Sequence, residues 1–116
     1  IPTPLACSDF ASGAKKALGA ERILYASASG IVNRLAICGG DGKDFIYPAM
    51  SAGCDAFITG DAGYNMAGDA QEEGIVTIEA GHYHTEAPVL SVLERLVRES
   101  CGAEVGFFNS CTYSVI

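Results

Sequence analysis

Both histidines of the chain stand beside a glutamate in Gly81-His82-Tyr83-His84-Thr85-Glu86. Imidazole and carboxylate together serve as ligands for zinc, manganese or iron, or as an acid/base pair. The segment follows Ile75-Val76-Thr77-Ile78, an apolar run that reads as a buried strand. Ligands of α/β proteins collect at the carboxyl ends of such strands. Two further strand ends carry a carboxylate behind glycine. These are Gly39-Gly40-Asp41-Gly42, and Gly60-Asp61-Ala62-Gly63 leading to Tyr64. A shared sheet edge makes the three loops neighbours.

Each loop also has a plainer reading. The Gly39–Gly42 turn could hold an anion on free N–H groups, yet it lacks the lysine–serine pair of a Walker loop and reads first as a turn. Asp61 could simply cap the next helix. Glu79 could orient His82 or be a solvated acid, and His84 reads as a surface histidine. A lone His-x-x-x-Glu is a weak metal signal by itself. Pro88 is tolerated only in the first turn of a helix, so the expected helix starts with Thr85 as N-cap and Glu86 in its first turn. His82 is then expected on the preceding loop. No serine stands in a G-x-S-x-G elbow, and nothing marks a cysteine as activated.

The elements that must position these loops follow from periodicity. A first helix is expected from Ser8 as N-cap to Leu18, stopped by Gly19. Strands are expected at Ile23–Ala26, Arg34–Cys38, Ala56–Thr59, Ile75–Glu79 and, buried, Glu104–Phe108, with an edge strand or tail over Thr112–Ile116. Helices are expected over 43–52 and 64–73. A long helix then carries Val89, Leu93, Leu96 and Val97 at core-facing spacing. Strands alternating with helices imply a three-layer α/β domain with a mainly parallel central sheet flanked by helices.

At 116 residues, the chain is expected to form a single domain over 1–116. A hydrophobic content of 49% against 18% charged is that of a globular chain. The net charge of −7 and the scattered basic residues argue against a nucleic-acid partner. No apolar run approaches the roughly 20 residues of a membrane span. Five cysteines without C-x-x-C pairing suggest reduced thiols and a cytoplasmic location, with Cys38 and Cys54 as small core residues. Ile1-Pro2-Thr3-Pro4 has no signal-peptide pattern, and Ile1 suggests a piece of something longer.

Three segments in order carry a resemblance: Ala36-Ile37-Cys38-Gly39-Gly40, Ala56-Phe57-Ile58-Thr59-Gly60-Asp61 with Tyr64, and Ala80-Gly81-His82-Tyr83 with Thr85-Glu86. Together they resemble the carboxyl-terminal part of the Nif-three-like family, also named GTP cyclohydrolase I type 2 homologues. The resemblance runs from about Phe10 to Phe108. It implies an α/β protein with a two-metal centre of zinc, manganese or iron, commonly a hexameric ring. The family's G-H-Y-x-[ST]-E motif puts metal ligands on His82 and Glu86. The remaining ligands, a histidine pair and an aspartate, belong to an amino-terminal half outside this sequence. Asn65 stands where the family often has histidine, Glu79 where it usually has aspartate, and Asn109-Ser110-Cys111-Thr112 replaces an acidic stretch.

The resulting expectation is the metal-binding, carboxyl-terminal domain of a metal-dependent hydrolase. His82 and Glu86 are its ligands, and Asp61, Tyr64, Asn65 and Glu79 are candidates for orienting ligands or substrate. The substrate would be a nucleotide or another small molecule, and the fragment alone is expected to be inactive. The alternative is a non-catalytic oligomerisation or protein-interaction module.

Overall fold

The computed structural model describes residues 5–27, 30–108 and 110–111. Strand β1 (Leu5–Ala6) runs straight into helix α1 (Cys7–Leu18), and β2 (Leu24–Ala26) and β3 (Ile31–Val32) follow. Strand β4 (Leu35–Asp41) leads through a 3₁₀ turn at Lys43–Phe45 into α2 (Ile46–Ser51). Then come β5 (Ala56–Asp61), α3 (Tyr64–Glu72), β6 (Val76–Glu79), α4 (His82–Glu86) and α5 (Val89–Cys101). The main sheet has the order β2-β6-β5-β4, while β1 and β3 form a separate antiparallel pair.

Strands β4, β5 and β6 are parallel, with Ile37, Ile58 and Ile78 in register. Strand β2 joins antiparallel, Ala26 facing Thr77. Alternation splits the sheet's residues between two cores. Ala56, Ile58, Val76 and Ile78 pack with Phe10, Ala11 and Ala14 of α1 and with Val32. Phe57 packs on the other side with Ile46 and Ala49 of α2, Ala70 of α3 and Ile75, and Cys38 and Cys54 sit half-buried against this cluster. Burying a side chain such as Phe57, Ile46 or Ile78 contributes about 1.5–3 kcal/mol each. The expected three-layer α/β arrangement is therefore observed, as a mixed sheet.

Several local expectations are corrected. Ser8 does not cap α1; Ala6 takes that place because β1 feeds the helix directly. Gly19 does close it, its N–H bonded back to Lys16. The glycines after Cys38 do not end their strand. Pairing resumes at Asp41 opposite Asp61 after an irregularity, so β4 and β5 both run through their Gly-Asp pairs. The helix expected over 43–52 splits into the 3₁₀ turn and α2.

The segment before Pro88 is helical rather than a loop. His82–Glu86 forms its own turn, and Pro88 caps a second helix, α5. Proline lacks the N–H that would have bonded to the His84 carbonyl, so the hydrogen-bond ladder is interrupted here, although Ala87 and Pro88 keep right-handed helical angles. The expected core face of α5 is solvent-exposed, with Val89 at 51%, Leu93 and Leu96 at 48% and Val97 at 42%. Residues 104–108 form no strand, and Phe108 is 92% exposed. Apolar content alone does not supply a neighbouring strand to pair with; instead Arg98 donates to the Val105 carbonyl. The strand or tail expected over 112–116 lies outside the described residues. Among those residues, no helix is long and apolar enough to cross a membrane.

Candidate metal centre

Helix α4 is seated where β4 and β5 end. The ladder between β5 and β6 continues beyond the strands, with Ala80 N–H bonded to the Thr59 carbonyl at 2.9 Å and Gly81 N–H to that of Gly60 at 3.0 Å. These bonds deliver His82 to the sheet edge beside Gly60. The seat exists because the strand residues beneath it have no side chains. A Cβ on Gly60 would lie 2.8 Å from the Gly40 carbonyl oxygen, 2.8 Å from Thr85 Oγ1 and 2.9 Å from His82 Cα. Real Cβ atoms do not approach that closely, so only glycine fits.

Thr85 bolts the turn down. Its hydroxyl accepts the Gly40 N–H at 3.1 Å and lies 3.0 Å from the Gly81 carbonyl and 3.1 Å from that of His82, to either of which it can donate. Thr59 secures the other side of Gly40, its buried hydroxyl donating to the Gly40 carbonyl at 3.0 Å. The expected N-cap threonine is thus an anchor within the turn.

The result brings the two expected ligands together. One helical turn apart, His82 and Glu86 lean over the same atom, Gly40 Cα. A Cβ built there would touch Glu86 Oε1 and lie 3.5 Å from His82 Cδ2. Both side chains belong to exposed residues, so the pair opens to solvent. His84 does not join it. That ring is half-buried and edge-on to Tyr83 at 5.1 Å.

A charged pair flanks the site. Lys43 Nζ donates to Asp41 Oδ2 at 2.7 Å. That bond holds the Asp41 carboxyl below its ordinary range, with a smaller attraction from His82, and raises Lys43, helped by the charges of Asp44 and Asp61. Asp41 is the carboxylate expected in the Gly39–Gly42 loop, whereas Lys43 was expected only as the first residue of the helix over 43–52.

The other candidates stand elsewhere. Glu79 is not a free acid: its Oε2 accepts the N–H groups of Ala62 at 3.1 Å and Gly63 at 3.4 Å, bracing the turn after β5. Asp61, Tyr64, Asn65 and Glu79 all line a groove between β2 and α3. That groove lies on the α2–α3 side of the sheet, whereas Thr85 of α4 borders the α1 side with Phe10, Ile37 and Ile58.

The family model described as Duf34/NIF3 (NGG1p interacting factor 3) matches residues 1–113. The chain belongs to this family. A GTP cyclohydrolase 1 type 2 homolog of Clostridium perfringens is 34% identical over 97 residues, covering 83% of this chain and 37% of the relative. One from Haemophilus influenzae is 30% identical, covering 92% and 43%. The chain therefore spans less than half the length of these relatives. Among solved structures, protein ybgI, of unknown function, superposes at a TM-score of 0.83 with 30% identity, covering 96% of this chain and 45% of that one. Staphylococcus aureus hypothetical protein SA1388 gives 0.82 at 25% identity, covering 100% and 41%.

One imidazole and one carboxylate converge, both ligand types suited to zinc, manganese and iron. Among the described residues no group of three or more His, Cys, Asp or Glu could hold an ion. The pair fits as part of a metal site and falls short of a whole one.

Proposed function

We propose that this chain is the carboxyl-terminal, metal-binding domain of a longer metal-dependent hydrolase, with His82 and Glu86 as its ligands. The observation that carries this reading is the meeting of the His82 ring and the Glu86 carboxylate over Gly40. The rest of the protein would supply the remaining ligands of a two-metal centre of zinc, manganese or iron. A bound ion of this kind lowers the pKa of its water to near neutrality and so provides the hydrolytic nucleophile. Thr85 and the bare backbone of Gly40 and Gly60 hold the two ligand side chains in register, which such sites need. The Asp41–Lys43 pair sets the charge beside them.

The relatives' name, GTP cyclohydrolase 1 type 2 homolog, makes a purine nucleotide the first substrate to try. A hexameric homo-oligomer acting in the cytoplasm completes the reading. Two ligands give weak metal binding, so the 116-residue chain alone is expected to be inactive. A second reading, a non-catalytic oligomerisation or interaction module, is favoured by one feature, the exposed apolar face of α5.

Metal analysis of the full-length protein tests the first reading, comparing wild type with His82→Ala and Glu86→Gln. Each substitution is expected to lower bound metal and to abolish nucleotide hydrolysis with added Mn²⁺ or Zn²⁺. Full metal occupancy in the doubly substituted protein would sink the ligand assignment. Metal retained by wild type, with no hydrolysis of any nucleotide tried, would favour the interaction module.

A further inference from the structure

The three strand-end loops hold one Lys or Arg, Lys43, against the carboxylates of Asp41, Asp61, Glu79 and Glu86. Its backbone is fixed from beneath. Gly42 has no room for a side chain, since a Cβ there would touch Thr59 Oγ1 and lie 3.0 Å from Cys38 Cβ. The Gly42 carbonyl accepts the Phe45 N–H at 2.9 Å, and the Lys43 N–H reaches Asp41 Oδ1 at 3.4 Å. The turn thus hangs from β4, the strand whose Gly40 lies under the His82–Glu86 pair.

The side chain is aimed as well. Asp41 Oδ2 takes one ammonium proton at 2.7 Å, and the charge of His82 acts on the same carboxylate. An ammonium has three protons, so two stay available for a ligand. The side chains of Lys43 and Asp41 are 52% and 44% exposed, open to a molecule arriving from solvent. Ion pairs so exposed add little to stability, so the fold alone does not account for an ordered ammonium here. Lysine serves as a point charge for phosphate oxygens. Asp41, Asp44 and Asp61 all attract this ammonium, so the edge repels an anion until divalent ions held by His82 and Glu86 reverse its sign.

We propose that Lys43 binds a phosphoryl oxygen of the substrate taken by the His82–Glu86 site. The proposal rests on the metal reading and narrows its substrate to a phosphorylated small molecule, with the phosphoryl group beside the ligand pair.

Inorganic phosphate is the probe, titrated by calorimetry into the metal-loaded full-length protein at about 0.15 M salt, where diffuse attraction is screened. Metal content is measured on the same samples. Wild type is expected to bind phosphate at one saturable site and to lose it when a chelator removes the metal. Lys43→Met should weaken phosphate about tenfold while keeping the metal content and melting temperature of wild type. Lys43→Arg, which keeps the charge, should recover most of that affinity. Lys16→Met on α1 should change nothing. No phosphate binding by the metal-loaded protein, binding that survives the chelator, affinity indifferent to Lys43→Met, equal weakening by Lys16→Met, or metal lost from Lys43→Met would each overturn the proposal and leave the metal reading standing. Wild type that holds no metal would overturn both.

Discussion

Helices α4 and α5 are neighbours in the chain and opposites in the fold. Helix α4 has five residues and no buried residue, yet three strand ends and a threonine hydroxyl fix it in place. Helix α5 has thirteen residues and a strong apolar stripe, yet none of its residues is buried either. Amphipathic spacing announces that a face seeks cover; it does not say what covers it. Close fit against bare backbone leaves almost no trace in hydropathy. A short helix can therefore be the better defined of the two.

The sharpest way to break this contrast is to fill the seat of α4. Gly60→Ala is expected to destabilise by roughly 3 kcal/mol, because the added methyl meets backbone on two sides and cannot be relieved by a rotamer change. Denaturant unfolding would measure it, and a loss below about 1 kcal/mol would mean that α4 sits more loosely than its geometry states. Thr85→Val comes next. It leaves the Gly40 N–H without its acceptor and should cost about 2 kcal/mol, with amide exchange at Gly40 accelerated. Unchanged exchange there would remove Thr85 as the anchor.

The same measurement on α5 should give far less. Leu93→Gln and Leu96→Gln in the 116-residue chain should each shift stability by under about 0.5 kcal/mol, as exposed substitutions do. In a longer protein that covers this face, each should cost 2 kcal/mol or more. Equal, small effects in both would show that the stripe stays in water. The smallest effect belongs to the Asp41–Lys43 pair. The Asp41 carboxyl is held below its ordinary 3.8, so its contribution is present above that pH and fades as acid approaches the lowered value. Lys43→Met should flatten the acid limb of stability below about pH 4, measured by unfolding at stepped pH. An unchanged limb would mean the exposed pair contributes nothing, as many do.

Much of this architecture was legible beforehand, for reasons that can be named. Continuous apolar runs such as Ala56–Thr59 mark strands covered on both faces, and the glycines and charged residues after them mark their ends. Pairing direction is less visible. Nothing in Leu24-Tyr25-Ala26 tells a parallel strand from an antiparallel one, since hydrogen-bond polarity is a property of the partner. The pairing of His82 with Glu86 was legible as a spacing. Its support was not, because Pro88 admits two breaks and only the bonds from Thr85 to Gly40 and Gly81 decide between them. Glu79 was ambiguous for a similar reason: a carboxylate's role depends on which amide it meets, and Ala62 is 17 residues away.

The bond from Gly40 to Thr85 joins residues 45 apart in sequence. A five-residue helix does not persist by itself in water, so the unfolded chain holds His82 and Glu86 in no fixed relation. Whatever ligand the pair takes is thus taken by the native form alone. Affinity and fold then share one equilibrium: ligand at a hundred times its dissociation constant would add about 2.7 kcal/mol to stability. The melting curve becomes an assay for occupancy, and each residue beneath α4 becomes, at a distance, a determinant of affinity.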